Sequence, residues 1–99
     1  MRRLNITVPK EKLAQFCKSN HIRRLALFGS VIHGDFTSES DLDVLVEFER
    51  GHVPGLDFFR MQDELSRLFD RRVDLNTPQF LSPYFRKRVL REAEVLYAK

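Results

Sequence analysis

Apolar residues recur along this chain in two rhythms. Over residues 22–28 and 42–48 they alternate or run together, which predicts strands. Over 9–19, 56–69 and from Ser82 onward they return every three or four positions, which predicts helices. In the first helix Leu13, Phe16 and Cys17 form one stripe, Pro9 suits the opening turn and Asn20 the closing cap. The strand over 22–28 carries Arg23 and Arg24 and then the continuous run Leu25-Ala26-Leu27-Phe28. In the strand over 42–48, Leu42, Val44, Val46 and Phe48 share one face, and Asp41, Asp43, Leu45 and Glu47 the other. The helix over 56–69 presents Phe58, Met61, Leu65, Leu68 and Phe69 to a core. A short strand is expected over 71–75. Ser82 and Pro83 then start a last helix as N-cap and first helical residue. Its expected buried side is Phe85, Val89 and Leu90, with Arg86, Lys87, Arg88 and Arg91 on the rest. Residues 94–97 either close the sheet as an edge strand or continue that helix, and residues 4–8 read as a short strand or an extended arm.

Strands and helices in this order predict an α+β fold (an α/β two-layer arrangement), a small mixed sheet with helices packed on one face. A chain of 99 residues makes a single domain over 1–99, without internal repeats or a linker. A hydrophobic fraction of 42% with nine Phe is enough for one core. No apolar run approaches the roughly 20 residues of a membrane span. No apolar stretch follows the basic Met1-Arg2-Arg3, so no signal peptide is expected. The lone Cys17 lies on the first helical stripe as a core residue; it excludes an internal disulfide and fits a reducing cytoplasm. No Cys/His run has zinc-finger spacing.

Charge changes the picture through its distribution. Residues 1–24 carry seven Lys/Arg against one Glu, residues 25–80 five against eleven Asp/Glu, and residues 81–99 five against two. An acidic centre between basic ends suits an acidic protein partner and leaves direct nucleic-acid binding open.

The candidate chemistry lies in the acidic centre. Asp41 and Asp43, at i and i+2, point to one side of a strand and can share a divalent cation. Asp74 sits inside a β-type segment where propensity disfavours it, so a hydrogen-bonded turn or a metal must hold it there. Gly29-Ser30 ends an apolar run and offers backbone N–H groups and a hydroxyl to an anion, with a helical turn expected after Ser30. Asp41, Asp43 and Asp74 are therefore candidate ligands of two Mg²⁺ ions serving phosphoryl transfer, and Glu47 and Glu49 are read as solvated. Competing patterns fail: there is no Gly-x-Ser-x-Gly, no Gly-Lys-Ser/Thr, and no EF-hand Gly and closing Glu. The plain alternative is that Asp41 and Asp43 only cap a loop.

Gly29-Ser30, ten residues, then Asp41-Leu42-Asp43 resembles the Gly-Ser-x10-Asp-x-Asp pattern of the DNA polymerase β-like nucleotidyltransferases. More closely, the chain resembles the minimal nucleotidyltransferases, MntA-type antitoxins paired with HEPN toxins. The likeness runs roughly from Ile22 to the end and includes Val73-Asp74-Leu75 and the closing Leu90-Arg91-Glu92-Ala93-Glu94-Val95-Leu96-Tyr97. It implies a nucleotidyltransferase-like fold. It also implies ATP with Mg²⁺ as substrate, held by Gly29 and Ser30, and Asp41, Asp43 and Asp74 as metal ligands and catalytic acids. The implied reaction is transfer of AMP to a tyrosine hydroxyl of a HEPN ribonuclease toxin, which silences it. Relatives often carry Gly-Ser-Arg-Ala-Arg-Gly, whereas here Val31, Ile32 and His33 precede the retained Gly34. His33 becomes the candidate phosphate contact in place of the arginines. The runner-up expectations are an antitoxin that neutralises by binding with little catalysis, and transfer to an RNA or small-molecule hydroxyl. A chain this short leaves little for an acceptor domain, so the acceptor is expected to bring its own surface. Arg86, Lys87, Arg88 and Arg91 are candidate docking cations, and Phe36 and Phe80 candidate partner contacts.

Overall fold

The strands predicted over 22–28 and 42–48 pair side by side at the centre of a four-stranded sheet. A computed structural model describes residues 6–99. Strand β1 (Ile22–Phe28) runs antiparallel to β2 (Leu42–Phe48) and to β4 (Glu94–Ala98), and β3 (Val73–Asn76) runs parallel to β2, giving the order β3-β2-β1-β4. Helices α1 (Lys10–Ser19), α2 (Ser30–His33), α3 (Asp57–Phe69) and α4 (Pro83–Glu92) complete the fold, with a single 3-10 turn at Pro78–Phe80.

The register of β1 explains how a strand with two arginines serves a core. Ile22 pairs with Phe48 and Arg24 with Glu47, so Arg23 is an extra residue in a bulge. The bulge turns Ile22 onto the face of Leu25 and Leu27, and both arginines stay exposed. That face joins Leu42, Val44 and Val46 of β2 beneath Leu13, Phe16 and Cys17 of α1, Ile32 of α2, and Phe58, Met61, Leu65 and Phe69 of α3. The second face carries Asp43 and Glu47, with Ala26 opposite a buried Leu45.

Helix α3 is also the crossover that a parallel β2–β3 pair requires. It does more than bury an apolar stripe. Its Ser66 hydroxyl accepts from the Val73 N–H at 3.0 Å, and its Gln62 side chain accepts from the Leu75 N–H at 2.9 Å. These two bonds satisfy the outward donors of an edge strand and lock β3 against slippage. Asp74 lies between them, so α3 is what holds an acid in this strand.

Two open alternatives resolve and two expectations change. Residues 4 and 5 lie outside the described residues, and 6–8 form no strand, although Ile6 and Val8 pack against the core. The third strand begins at Val73, leaving Arg71 and Arg72 ahead of it. The last helix stops at Ala93, whose ψ of 140° turns the chain into β4, so residues 94–97 are strand. The stripe of α4 is not a buried side: Phe85 and Leu90 are 58% and 39% exposed, and only Val89 is half-buried. Ala93 alone links α4 to edge strand β4. Arg86 donates to the carbonyls of Pro78 and Leu81 at 2.8 and 3.1 Å, so that cation is spent within the chain.

Candidate nucleotidyltransferase site

The parallel pairing of β2 and β3 places Asp43 directly opposite Asp74, and the antiparallel pairing of β1 and β2 places it opposite Phe28. Gly29 follows Phe28 with φ +76°, a conformation open to glycine. A Cβ built there would overlap Asp43 Oδ2, so the missing side chain is the space the carboxylate occupies. When protonated, the Asp43 carboxyl can donate a hydrogen bond to the Asp74 carboxylate. The Asp43 carboxyl is pushed up to about 6, chiefly by burial, then by the charges of Asp74 and Asp41, then by that bond. Two carboxylates packed this way call for a proton or a cation between them.

Asp41 stands one residue before β2 and is exposed. Its carboxylate accepts from the Arg72 guanidinium, which raises the arginine's already high value further. Asp43 and Asp74 are thus brought together, whereas Asp41 is turned toward a neighbouring cation. Among the described residues the trio does not close into one group with ligand atoms within 4.8 Å; His21, Glu49 and His52 do. The donor set of Asp41, Asp43 and Asp74 is all oxygen, with the innermost carboxyl held protonated more tightly than usual, and this suits a hard divalent cation such as Mg²⁺.

Ser30 opens α2, Val31 and Ile32 are buried in the core, and His33 is exposed. Gly34 ends the turn in a left-handed conformation, φ +84°. His33 Nε2 lies 2.8 Å from Glu92 Oε2, and this bond holds the Glu92 carboxyl below its ordinary value. The pair bridges α2 and α4 beside a cleft of about 340 Å³ walled by Phe28, Gly29, Ile32, Phe85, Arg88 and Val89. A larger cleft of about 840 Å³ opens on the Asp74 side, between the 49–55 loop, Phe59, Asn76 and Phe80. Gly29 lines the smaller cleft and Asp74 the larger, and Asp43 lies between these two residues.

Arg71 and Arg72 escaped the sequence reading. Arg71 lies 4.2 Å over the Phe36 ring and donates to the carbonyls of Thr37 and Ser40 at 2.8 and 3.4 Å. It stitches the polar loop between Ser30 and Asp41 to β3, and it covers Phe36, which is half-buried rather than free for a partner. Phe80 remains 64% exposed. The available signal was their position immediately before Val73-Asp74-Leu75.

A four-stranded mixed sheet with a Gly-Ser turn facing strand-borne acids defines a nucleotidyltransferase domain. The chain belongs to the polymerase β nucleotidyltransferase family, whose family model matches residues 11–99. A Methanocaldococcus jannaschii relative named as a protein adenylyltransferase is 32% identical over 90 residues, 91% of this chain and 96% of its own. Protein adenylyltransferase MntA of Thermococcus cleftensis is 38% identical over 72 residues, 72% and 71% of the two chains. Among solved structures, a minimal nucleotidyltransferase superposes with a TM-score of 0.71 at 39% identity over 85% of both chains. A complex of tri-AMPylated Shewanella oneidensis HEPN toxin with its MNT antitoxin matches with a TM-score of 0.65 over 91% and 70%; at 18% identity this likeness is one of fold. No helix among the described residues is long and apolar enough to cross a membrane.

Proposed function

We propose that this domain is a Mg²⁺-dependent protein adenylyltransferase that acts as an antitoxin, moving AMP from ATP to a tyrosine hydroxyl of a partner HEPN ribonuclease toxin. The observation that carries the reading is the packing of Asp43 between the side-chain-free Gly29 and Asp74. Relatives of nearly the same length named as protein adenylyltransferases, and the fold shared with an antitoxin seen beside its AMPylated HEPN toxin, support the acceptor class.

In this reading Gly29 and Ser30 hold the triphosphate at the smaller cleft, with the Arg88 cation on its wall. Asp41, Asp43 and Asp74 hold Mg²⁺, two ions when fully loaded. Bound Mg²⁺ supplies charge neutralisation on the phosphates and activation of the attacking oxygen. Asp74, lining the larger cleft, faces the acceptor hydroxyl and orients it or takes its proton. His33 contacts phosphate only after leaving Glu92.

The test is to incubate the domain with the HEPN protein encoded beside it, ATP and Mg²⁺, and to weigh that protein. Gain of one or more AMP masses, abolished by Asp41→Asn with Asp43→Asn, is the expected outcome. A second reading, neutralisation by binding with little catalysis, is favoured by the engaged His33 and the buried Val31 and Ile32. Full toxin inhibition by the double variant would select it, and transfer to RNA or a small-molecule hydroxyl would show as label outside the toxin.

A further inference from the structure

At the end of the sheet away from Asp43, two loops bring together ligands that the sequence keeps apart. His21 closes the turn between α1 and β1, and Glu49 and His52 lie in the loop after β2. Phe48, at the near end of β2, is five residues from Asp43, roughly 16 Å at the rise of a strand. The Glu49 N–H donates to the His21 carbonyl at 2.8 Å, and the His52 N–H donates to the Glu49 carbonyl at 3.0 Å. The backbone therefore holds the three residues on one another. The two imidazoles stack with centroids 3.8 Å apart and planes 9° from parallel, and one ligand atom from each of the three residues lies within 4.8 Å of the others. His21 also sits at φ 56°, a left-handed position that glycine or asparagine fills at lower cost. A histidine retained there places its ring against His52.

We propose that His21, Glu49 and His52 form a second metal site, taking a zinc-class transition-metal ion and independent of the Asp41, Asp43 and Asp74 site. The two imidazoles are borderline donors beside one hard carboxylate, and the nitrogens make this set favour Zn²⁺, Co²⁺ or Ni²⁺ over Mg²⁺. Three protein ligands leave one tetrahedral position for water or a partner's side chain. Both rings are exposed and can turn out of the stack, which brings a nitrogen lone pair of each onto one ion. Lys99 Nζ lies 3.0 Å from Glu49 Oε1 and keeps that carboxylate ionised; the lysine side chain is 62% exposed and free to swing away when a cation arrives. The loop bearing Glu49 and His52 is also a wall of the larger cleft that Asp74 lines. An ion here would tie that loop to the start of β1 and fix the wall without touching the reacting atoms.

The test is calorimetric titration of the full chain with ZnCl₂ in excess Mg²⁺, with Co²⁺ absorption as an independent readout. Wild type is expected to bind one Zn²⁺ and to give visible cobalt bands of a nitrogen- and oxygen-ligated tetrahedral ion. His52→Gln and His21→Asn, the latter compatible with the left-handed backbone, are expected to weaken Zn²⁺ at least tenfold and abolish the bands, with the circular dichroism spectrum kept. Asp41→Asn with Asp43→Asn is expected to leave Zn²⁺ binding unchanged. Zn²⁺ affinity unaffected by both histidine variants, or lost in the aspartate double variant, overturns the proposal.

Discussion

Gly29 and Asp43 compete for one volume: a Cβ on the glycine would overlap Asp43 Oδ2. The turn at +76° and the carboxylate position are therefore two consequences of one missing side chain. Gly29→Ala should cost about 1–3 kcal/mol from forced backbone alone. It should also lower adenylylation by more than a hundredfold, because Asp43 must move. Urea unfolding and AMP transfer, measured on the same sample, check both. A variant as active as wild type would contradict the geometry.

Protonation of Asp43 gives a pH signature. Its carboxyl ordinarily titrates near 3.8 and is raised to about 6 in the fold, mainly by burial. The folded state thus binds the proton more tightly than the unfolded chain. This group's contribution favours folding at low pH and is lost as pH rises from about 4 through about 6. In metal-free protein, the difference in urea midpoint between wild type and Asp43→Asn should change across that window, against wild type as pH rises. Added Mg²⁺ replaces the proton, so its stabilising effect should grow above pH 6. A midpoint difference flat with pH would show that the carboxyl is not raised.

The sheet was legible because alternation in residues 42–48 and the run after Arg24 leave little freedom in which face is buried. Both strand spans come out as read, and so does the N-cap of α4, where Ser82 accepts from the Tyr84 N–H at 3.3 Å. The pairing of Asp43 with Asp74 followed from spacing and resemblance, but not its cause. Hydrogen bonds from Ser66 and Gln62 to β3 join positions that no periodicity links. The bulge at Arg23 was likewise invisible, since it is set by the partner strand. Helix α4 departs from its expected burial because an amphipathic stripe states what a helix could bury, not whether a face is there to cover it.

That contrast predicts opposite costs for similar truncations. Leu65 is fully buried under the sheet, so Leu65→Ala should cost about 2–5 kcal/mol. Phe85→Ala, at a side chain 58% exposed, should cost under about 1 kcal/mol. Equal losses in thermal denaturation would mean that α4 is part of the core.

Cys17 should be chemically silent. It is fully buried and its thiol is pushed up to about 12 by burial, so no thiolate is present at pH 8. Ellman's reagent should leave the native protein unlabelled for hours and react with one thiol per chain in guanidinium. Rapid native labelling would show that α1 opens readily.

Arg72 is the cation already standing on Asp41, and it must yield for a metal to use that carboxylate. Its side chain is 76% exposed, so the pair is screened by water and gives way readily. Arg72→Ala removes that competition. Half-saturation of the transferase by Mg²⁺ should therefore fall, by no more than roughly fivefold because the pair is exposed. Global stability should stay as in wild type, because Arg72 lies outside β3 and the Leu42 N–H bonds its backbone carbonyl at 2.9 Å, which the substitution keeps. Arg72→Lys should sit between the two, retaining a charge but losing the planar fork. A rise in the Mg²⁺ requirement of Arg72→Ala would mean that the guanidinium acts with the nucleotide, and Asp41 would then be its holder rather than a metal ligand.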